Sequence, residues 1–315
     1  MKLSALALLI PALILGHSSQ ISAEEYQSFT NASYSINDYS SADTTSFGIN
    51  TRYFFDTRSA LGPLNQFKYI NKISNISAGY NHSKLESSSL EMSNFPDYNS
   101  KGNTNTISVN GEWFSGDILF GGGYSYIDHE HSSSFDNGST VEPYQFDNNS
   151  DAFHLSAGYL FSDDLLVKVN MNKYEGTDEY FTMYVDYNWQ LGDVDYVGFT
   201  YSTDENLDFH NISAKYFMDL ADDSYLILGA VYIYDNSVRY SNEYDRDDSF
   251  WSTNASYYFN DKTSISADYN ENDIYNLSAN HFINKNYAVG AFYSASSKSD
   301  FEGFDSYGVS FTAQF

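Results

Sequence analysis

The stretch Phe153-His154-Leu155-Ser156-Ala157-Gly158-Tyr159-Leu160-Phe161-Ser162-Asp163-Asp164 decides how this chain folds. Phe153, Leu155, Ala157, Tyr159 and Phe161 occupy one set of alternate positions. His154, Ser156, Gly158 and Leu160 occupy the other. Successive side chains of a strand point to opposite faces, so this is a strand with one apolar, aromatic face and one largely polar face. Ser162-Asp163-Asp164 then reads as a tight turn, because Ser and Asp tolerate turn dihedrals and bond to nearby backbone. The same alternation runs through Phe47–Phe55, Phe181–Trp189 and Trp251–Phe259.

A soluble sandwich also alternates, and two features separate this chain from one. Aromatic residues gather at the ends of the apolar faces: Tyr159 with Phe161, Tyr187 with Trp189, and Tyr257 with Phe259 end strands in one direction. Tyr80, Tyr124, Tyr126, Tyr201, Tyr232, Tyr234 and Tyr293 end strands running back. Two such girdles match the two interfaces of a bilayer. The opposite faces carry Asn50, Arg52, Lys168, Asn170, Asp186, Lys215 and Asp268, which a dry core would not accept and a water-filled lumen would. The expected fold is therefore all-β: a transmembrane antiparallel up-and-down barrel. Alternating segments number about 16, an even count as bacterial barrels require; the short ones near Phe199 and Ala267 are the weakest, and without them 14 remain.

The rest of the composition agrees. Lys2 followed by the apolar run Leu3–Leu15 and the small, polar Gly16–Ala23 reads as a signal peptide cleaved after Ala23, leaving 24–315 as the barrel. No later stretch is long and apolar enough for a spanning helix. There is no Cys, Pro is scarce at 4, and Tyr (30) and Phe (24) are abundant, as long regular strands require. A formal charge of −27 excludes nucleic-acid binding through phosphates and points toward cations. Short turns follow Phe114, Phe161, Leu191, Phe259 and Ile283; longer polar segments, Ser83–Asn103, Glu130–Asp151, Asp235–Ser249 and Ser297–Asp305, read as loops on the other rim. In outer-membrane barrels the short turns are periplasmic.

At Tyr307-Gly308-Val309-Ser310-Phe311-Thr312-Ala313-Gln314-Phe315 the chain ends on an alternating strand closed by Phe. This resembles the C-terminal signal read by the barrel assembly machinery. Asp56–Ile70, with Gly62-Pro63-Leu64 between the second and third strands, looks like the general porins of marine and related gammaproteobacteria. The similarity lies in the layout of the whole chain and in residues 26–82 and the terminal strand. It implies a diffusion channel in the outer membrane of a Gram-negative bacterium, contact with outer-membrane lipid and lipopolysaccharide, and a homotrimer. Leu61, Leu64, Phe67 and Ile70 recur every third residue, which predicts a short helical face in a small periplasmic excursion.

A porin needs width and lining charges rather than a nucleophile, and no Gly-x-Ser-x-Gly, phosphate loop or His-Glu-x-x-His pattern is present. No enzyme activity, cofactor or metal is expected. In general porins the third outer loop narrows the lumen; by position that loop is Glu130–Asp151, with Asp136, Glu142, Asp147 and Asp151 as its acids. Strand parity turns Arg52, Lys168, Lys215 and His154 inward, as the basic side of an eyelet. Phe54, Tyr184 and Phe217 also turn inward, which keeps open a sugar-selective channel beside passive diffusion of small hydrophilic solutes. A structural or adhesive barrel with a blocked lumen is the other alternative. Asp128-His129-Glu130-His131, and Glu243 to Asp248, read as solvated rim segments before metal sites.

Overall fold

The computed structural model describes residues 24–39, 42–88, 97–136, 141–220, 222–236, 248–296 and 304–315. The proposed leader, residues 1–23, and the acids Glu243, Asp245 and Asp247 lie outside them. Sixteen antiparallel strands close into one barrel in which each strand pairs with its sequence neighbours and β1 pairs with β16. The first six strands are β1 (Glu25–Tyr39), β2 (Ala42–Ser59), β3 (Asn75–Ser88), β4 (Asp97–Ser115), β5 (Ile118–Asp136) and β6 (Val141–Ser162). Then come β7 (Leu165–Tyr174), β8 (Tyr180–Gln190), β9 (Tyr196–Asp204), β10 (Phe209–Asp219) and β11 (Tyr225–Asp235). The barrel is completed by β12 (Asp248–Tyr258), β13 (Thr263–Asn270), β14 (Ile274–Phe282), β15 (Tyr287–Ser296) and β16 (Asp305–Gln314). The short segments near Phe199 and Ala267 are true strands, β9 and β13, so the count is sixteen and not fourteen.

Closure satisfies the backbone groups that a sheet edge would leave bare in lipid. Tyr34 sits opposite Val309 and Thr30 opposite Ala313. The Phe315 carbonyl accepts from the Gln27 and Ser28 amides at 2.6 and 2.8 Å. Phe315 also packs edge-on against Tyr287, with ring centroids 5.7 Å apart.

Register fixes which face each residue takes. Phe47, Tyr80, Ile107, Tyr126, Phe153, Leu155, Val185, Phe199, Leu228, Leu277 and Val309 line the outside, and many remain exposed: Leu155 by 58%, Trp113 by 56%, Val309 by 56%. An apolar wall of this extent has lipid, not water, as its solvent. The girdle aromatics touch one another at both rims, as in Phe55–Trp113 (5.1 Å) near the short turns and Tyr124–Phe153 (5.1 Å) near the other rim. The inner wall is mostly Ser, Asn, Gly and Thr.

Parts of two predicted loops are strand. Strands β3 and β4 pair out to Ser88 opposite Asn99, and β5 and β6 out to Asp136 opposite Val141. Within the described residues, Glu130–Asp136 and Val141–Asp151 are therefore paired strand, the two arms of a hairpin. Beyond the bilayer both faces of a hairpin meet water, so the ladder continues with no apolar period to announce it. One wall of the barrel, β1–β6 with 14 to 22 residues per strand, consequently stands taller than β7–β16 with 8 to 11.

Candidate functional site: the short-turn mouth of the barrel

The connection from β2 to β3, residues 60–74, is the one long segment on the short-turn rim, and it crosses the barrel mouth. It is not helical: Leu61 N–H bonds the Gln66 carbonyl (2.9 Å) and Gln66 N–H the Pro63 carbonyl (3.0 Å), making irregular turns. The four apolar residues spaced by three do not share a face. Leu61 packs into Tyr196, Phe217, Ile227 and Tyr258 from β9–β12. Leu64, fully buried, meets Phe282 and Ala288 of β14 and β15. Phe67 meets Tyr26 and Phe29 of β1 at 6.3 and 5.2 Å. Ile70 joins Leu119, Leu160 and Leu166 of β5–β7. The segment thus grips the wall around its whole circumference.

Polar contacts hold it in register. Leu64 N–H donates to the Asp261 carbonyl of the β12–β13 turn (2.9 Å), and Gln314 Nε2 donates to the Leu64 carbonyl (3.1 Å). Lys215 Nζ donates to Gln66 Oε1 (2.8 Å), while Gln66 Nε2 donates to the Tyr258 hydroxyl (2.7 Å). The Arg58 guanidinium lies over Phe54 and Phe67, 4.8 and 4.6 Å from the ring centroids, an attraction worth ~0.5–2 kcal/mol per contact. Lys72 pairs with Asp163 at 2.5 Å; that hydrogen bond and charge hold the Asp163 carboxyl below the usual range. The Tyr69 hydroxyl meets Thr200 Oγ1 at 2.8 Å, and Thr200 in turn donates to Asp186 Oδ1 at 2.5 Å. Burial, with Asp186 nearby, raises the Tyr69 hydroxyl's pKa and keeps it a donor.

Two glycines make room. Gly62 has φ +122°, and a Cβ there would lie 2.4 Å from the Tyr225 ring. A Cβ at Gly198 would lie 2.3 Å from the Tyr69 ring, so β9 needs Gly where Tyr69 rests on it. Gly198→Val is expected to push Tyr69 off its seat and raise single-channel conductance while leaving the barrel folded. Wild-type conductance in that variant would refute the seat.

Directly above this floor lies a belt of charge. Arg52, Glu112, Lys168 and Lys215 each stand one inward position from a floor residue, respectively Phe54, Phe114, Leu166 and Phe217, with Asp186 beside them on β8. Lys168 pairs with Glu112 at 3.5 Å and lies 5.5 Å from the Tyr184 ring centroid. His154 is close enough to feel both charges. By register Arg52, Lys168 and Lys215 take inward positions, and the acids on neighbouring inward positions are Glu112 and Asp186.

The acids expected from the third loop are placed otherwise. Register puts Asp147 (opposite Glu130) and Asp151 (opposite Tyr126) on the outward face, and Asp151 accepts from the Tyr124 hydroxyl at 2.6 Å. Asp136 ends β5 and Glu142 lies at the start of β6, high on the hairpin. Asp147 and Asp151 do not line a constriction, because the period-two pleat turns these positions of β6 outward. The same pleat splits Asp128 and Glu130, outward, from His129 and His131, inward. His129 bonds Thr104 (2.8 Å) and His131 Ser100 (3.4 Å). Phe54 and Phe217 do point inward, but both are buried under residues 60–74 and form no exposed slide. Glu112 and the plugging segment are the features that parity counting did not single out.

The family described as "Putative general bacterial porin" matches residues 1–315. A comparison with curated proteins finds no match. Among solved structures, the outer membrane protein Omp33 of Acinetobacter baumannii is 13% identical, with 93% of this chain and 100% of that one covered and a TM-score of 0.48. The toluene transporter TodX of Pseudomonas putida is 9% identical over 92% and 89%, TM-score 0.47. OccK7 (OpdD) of Pseudomonas aeruginosa is 12% identical over 92% and 98%, TM-score 0.44. The sixteen-strand barrel, its polar inner wall and the full-length match together show that the chain belongs to the general bacterial porin family.

Proposed function

We propose that this protein is an outer-membrane channel for passive diffusion of small hydrophilic solutes and ions, with residues 60–74 setting how much passes. The observation that carries this is the contrast between the two walls: Ser, Asn, Gly and Thr inside, Leu, Val, Phe and Trp outside, on a barrel wide enough for a water-filled lumen. Liposome swelling with refolded protein tests it, with small sugars and amino acids as solutes. Swelling no faster than protein-free liposomes would remove the channel reading.

Cation preference belongs to the same proposal. The net charge of −27 supports it. The belt above the floor mixes signs, so the preference arises from the chain's overall excess of carboxylates, which raises the local cation concentration. Such fields are screened over ~8–10 Å near physiological salt. Reversal potentials are therefore expected to show cation preference that grows as salt is lowered. Anion preference at low salt would overturn it.

A second reading has an observation of its own. Leu64 and Phe217 are 0% exposed, so the segment is seated as firmly as a core. A barrel sealed by it would serve structure or adhesion. Wild-type protein silent in both assays would favour that reading.

A further inference from the structure

The segment divides the space at the mouth in two. On its lumenal side, Tyr69 and Ile70 close the bottom of a 300 Å3 cavity walled by residues of β4, β5, β7, β8 and β9. The lining sorts by chemistry. Phe114, Leu119, Leu166 and Ile70 make an apolar side. Lys168 and Glu112 are already paired with each other at 3.5 Å. Asp186 accepts from Thr200, which the Tyr69 hydroxyl holds in place, and has no basic partner among the described residues. One carboxylate oxygen there is left to accept from something else.

We infer that this cavity is a binding site for a small primary ammonium solute carrying a short apolar tail. The ammonium group donates to Asp186, a charge-assisted bond stronger than a neutral one. The tail lies against Phe114, Leu119 and Leu166, where its apolar surface leaves water. Charge excludes the mirror-image ligand: an anion would face two carboxylates and one lysine that is already paired. Size excludes a large ligand, since 300 Å3 is at the small end of ligand cavities. A hydrated alkali ion satisfies the carboxylate but wastes the apolar side. The site lies on the diffusion path of the proposed channel and deepens that reading, though binding there does not require conduction.

The test uses full-length mature protein refolded in micelles, titrated calorimetrically with n-butylammonium chloride. Saturable binding of one equivalent is expected, with n-butanol and sodium butyrate at least about ten-fold weaker. Asp186→Asn, nearly isosteric, is expected to weaken n-butylammonium by a similar factor. Should that variant not refold, Thr200→Val, which frees Asp186 from its donor, keeps the test open by altering the affinity. No saturable binding, equal binding of butanol, or unchanged affinity in the refolded Asp186→Asn variant would overturn the site. Binding in micelles without conductance in bilayers would leave the site standing and remove the channel reading instead.

Discussion

Replacing residues 61–73 with a Gly-Ser chain of equal length is expected to raise single-channel conductance on the order of ten-fold, toward that of an unobstructed barrel of this strand number. The segment contributes nothing to the strand ladder: β2 and β3 pair from Ala42 opposite Ser87 to Phe54 opposite Asn75 without it. The barrel therefore closes in the variant as in the wild type. What is lost is the set of side chains that reach across, Leu61, Leu64, Phe67 and Ile70, together with the Gln66–Lys215 and Leu64–Asp261 bonds. Full burial of a Leu or Ile contributes roughly 1.5–3 kcal/mol, so the seat is a deep one. Leu64→Ser with Ile70→Ser is expected to give an intermediate result, a channel that switches between low and high conductance as the loosened segment leaves and returns. Planar-bilayer recording reads both variants. If the replaced segment conducts as the wild type does, residues 60–74 do not set the flux.

The barrel was legible because lipid imposes a strict grammar on it. Every strand must alternate, every backbone group must pair, and aromatic residues must mark two levels. Residues such as Phe153, Leu155, Tyr159 and Phe161 carry all three signals at once, and the sixteen observed strands match the count read from the alternation. Water imposes no such grammar. Ser83–Ser88 and Glu130–Asp136 pair as strands above the bilayer with no apolar face, so they looked like loops. The plug was written in the sequence in a less obvious place. Phe54, Leu160 and Tyr258 sit on the polar faces of their strands, each at the short-turn end where a wet lumen would want Ser or Asn. Phe114, Leu166, Phe217 and Phe282 do the same. That ring of misplaced apolar residues, matched to Leu61, Leu64, Phe67 and Ile70, is the signature of something apolar lying across the mouth. Spacing by three misleads there, because an irregular chain spanning a ring also presents residues to successive parts of it.

The inward and outward assignment beneath all of this can be put to a direct energetic test. Ala267→Arg is expected to destabilise the refolded barrel by ~2–4 kcal/mol in urea titrations into lipid vesicles, the cost of a guanidinium on the lipid face near the bilayer midplane. Ala267 lies mid-strand on β13, opposite Ala255 and Leu277, and the outward Ile265 and Tyr269 flank it. It belongs to a shallow apolar groove with Ala255, Ala279 and Ala291, so an Arg there has no acid within that groove to pair with and must snorkel to the interface. Its neighbour Ser266 occupies the same depth on the other face, where it donates to Ser256 Oγ at 2.7 Å. Ser266→Arg loses one hydrogen bond, worth about 1 kcal/mol, and sends its charge into the wet lumen beside Asp268. One residue of sequence separates the two variants, and the pleat alone decides which is costly. Equal costs would mean that the lumen is not wet at this depth, and the polar wall on which the diffusion reading rests would then need another explanation.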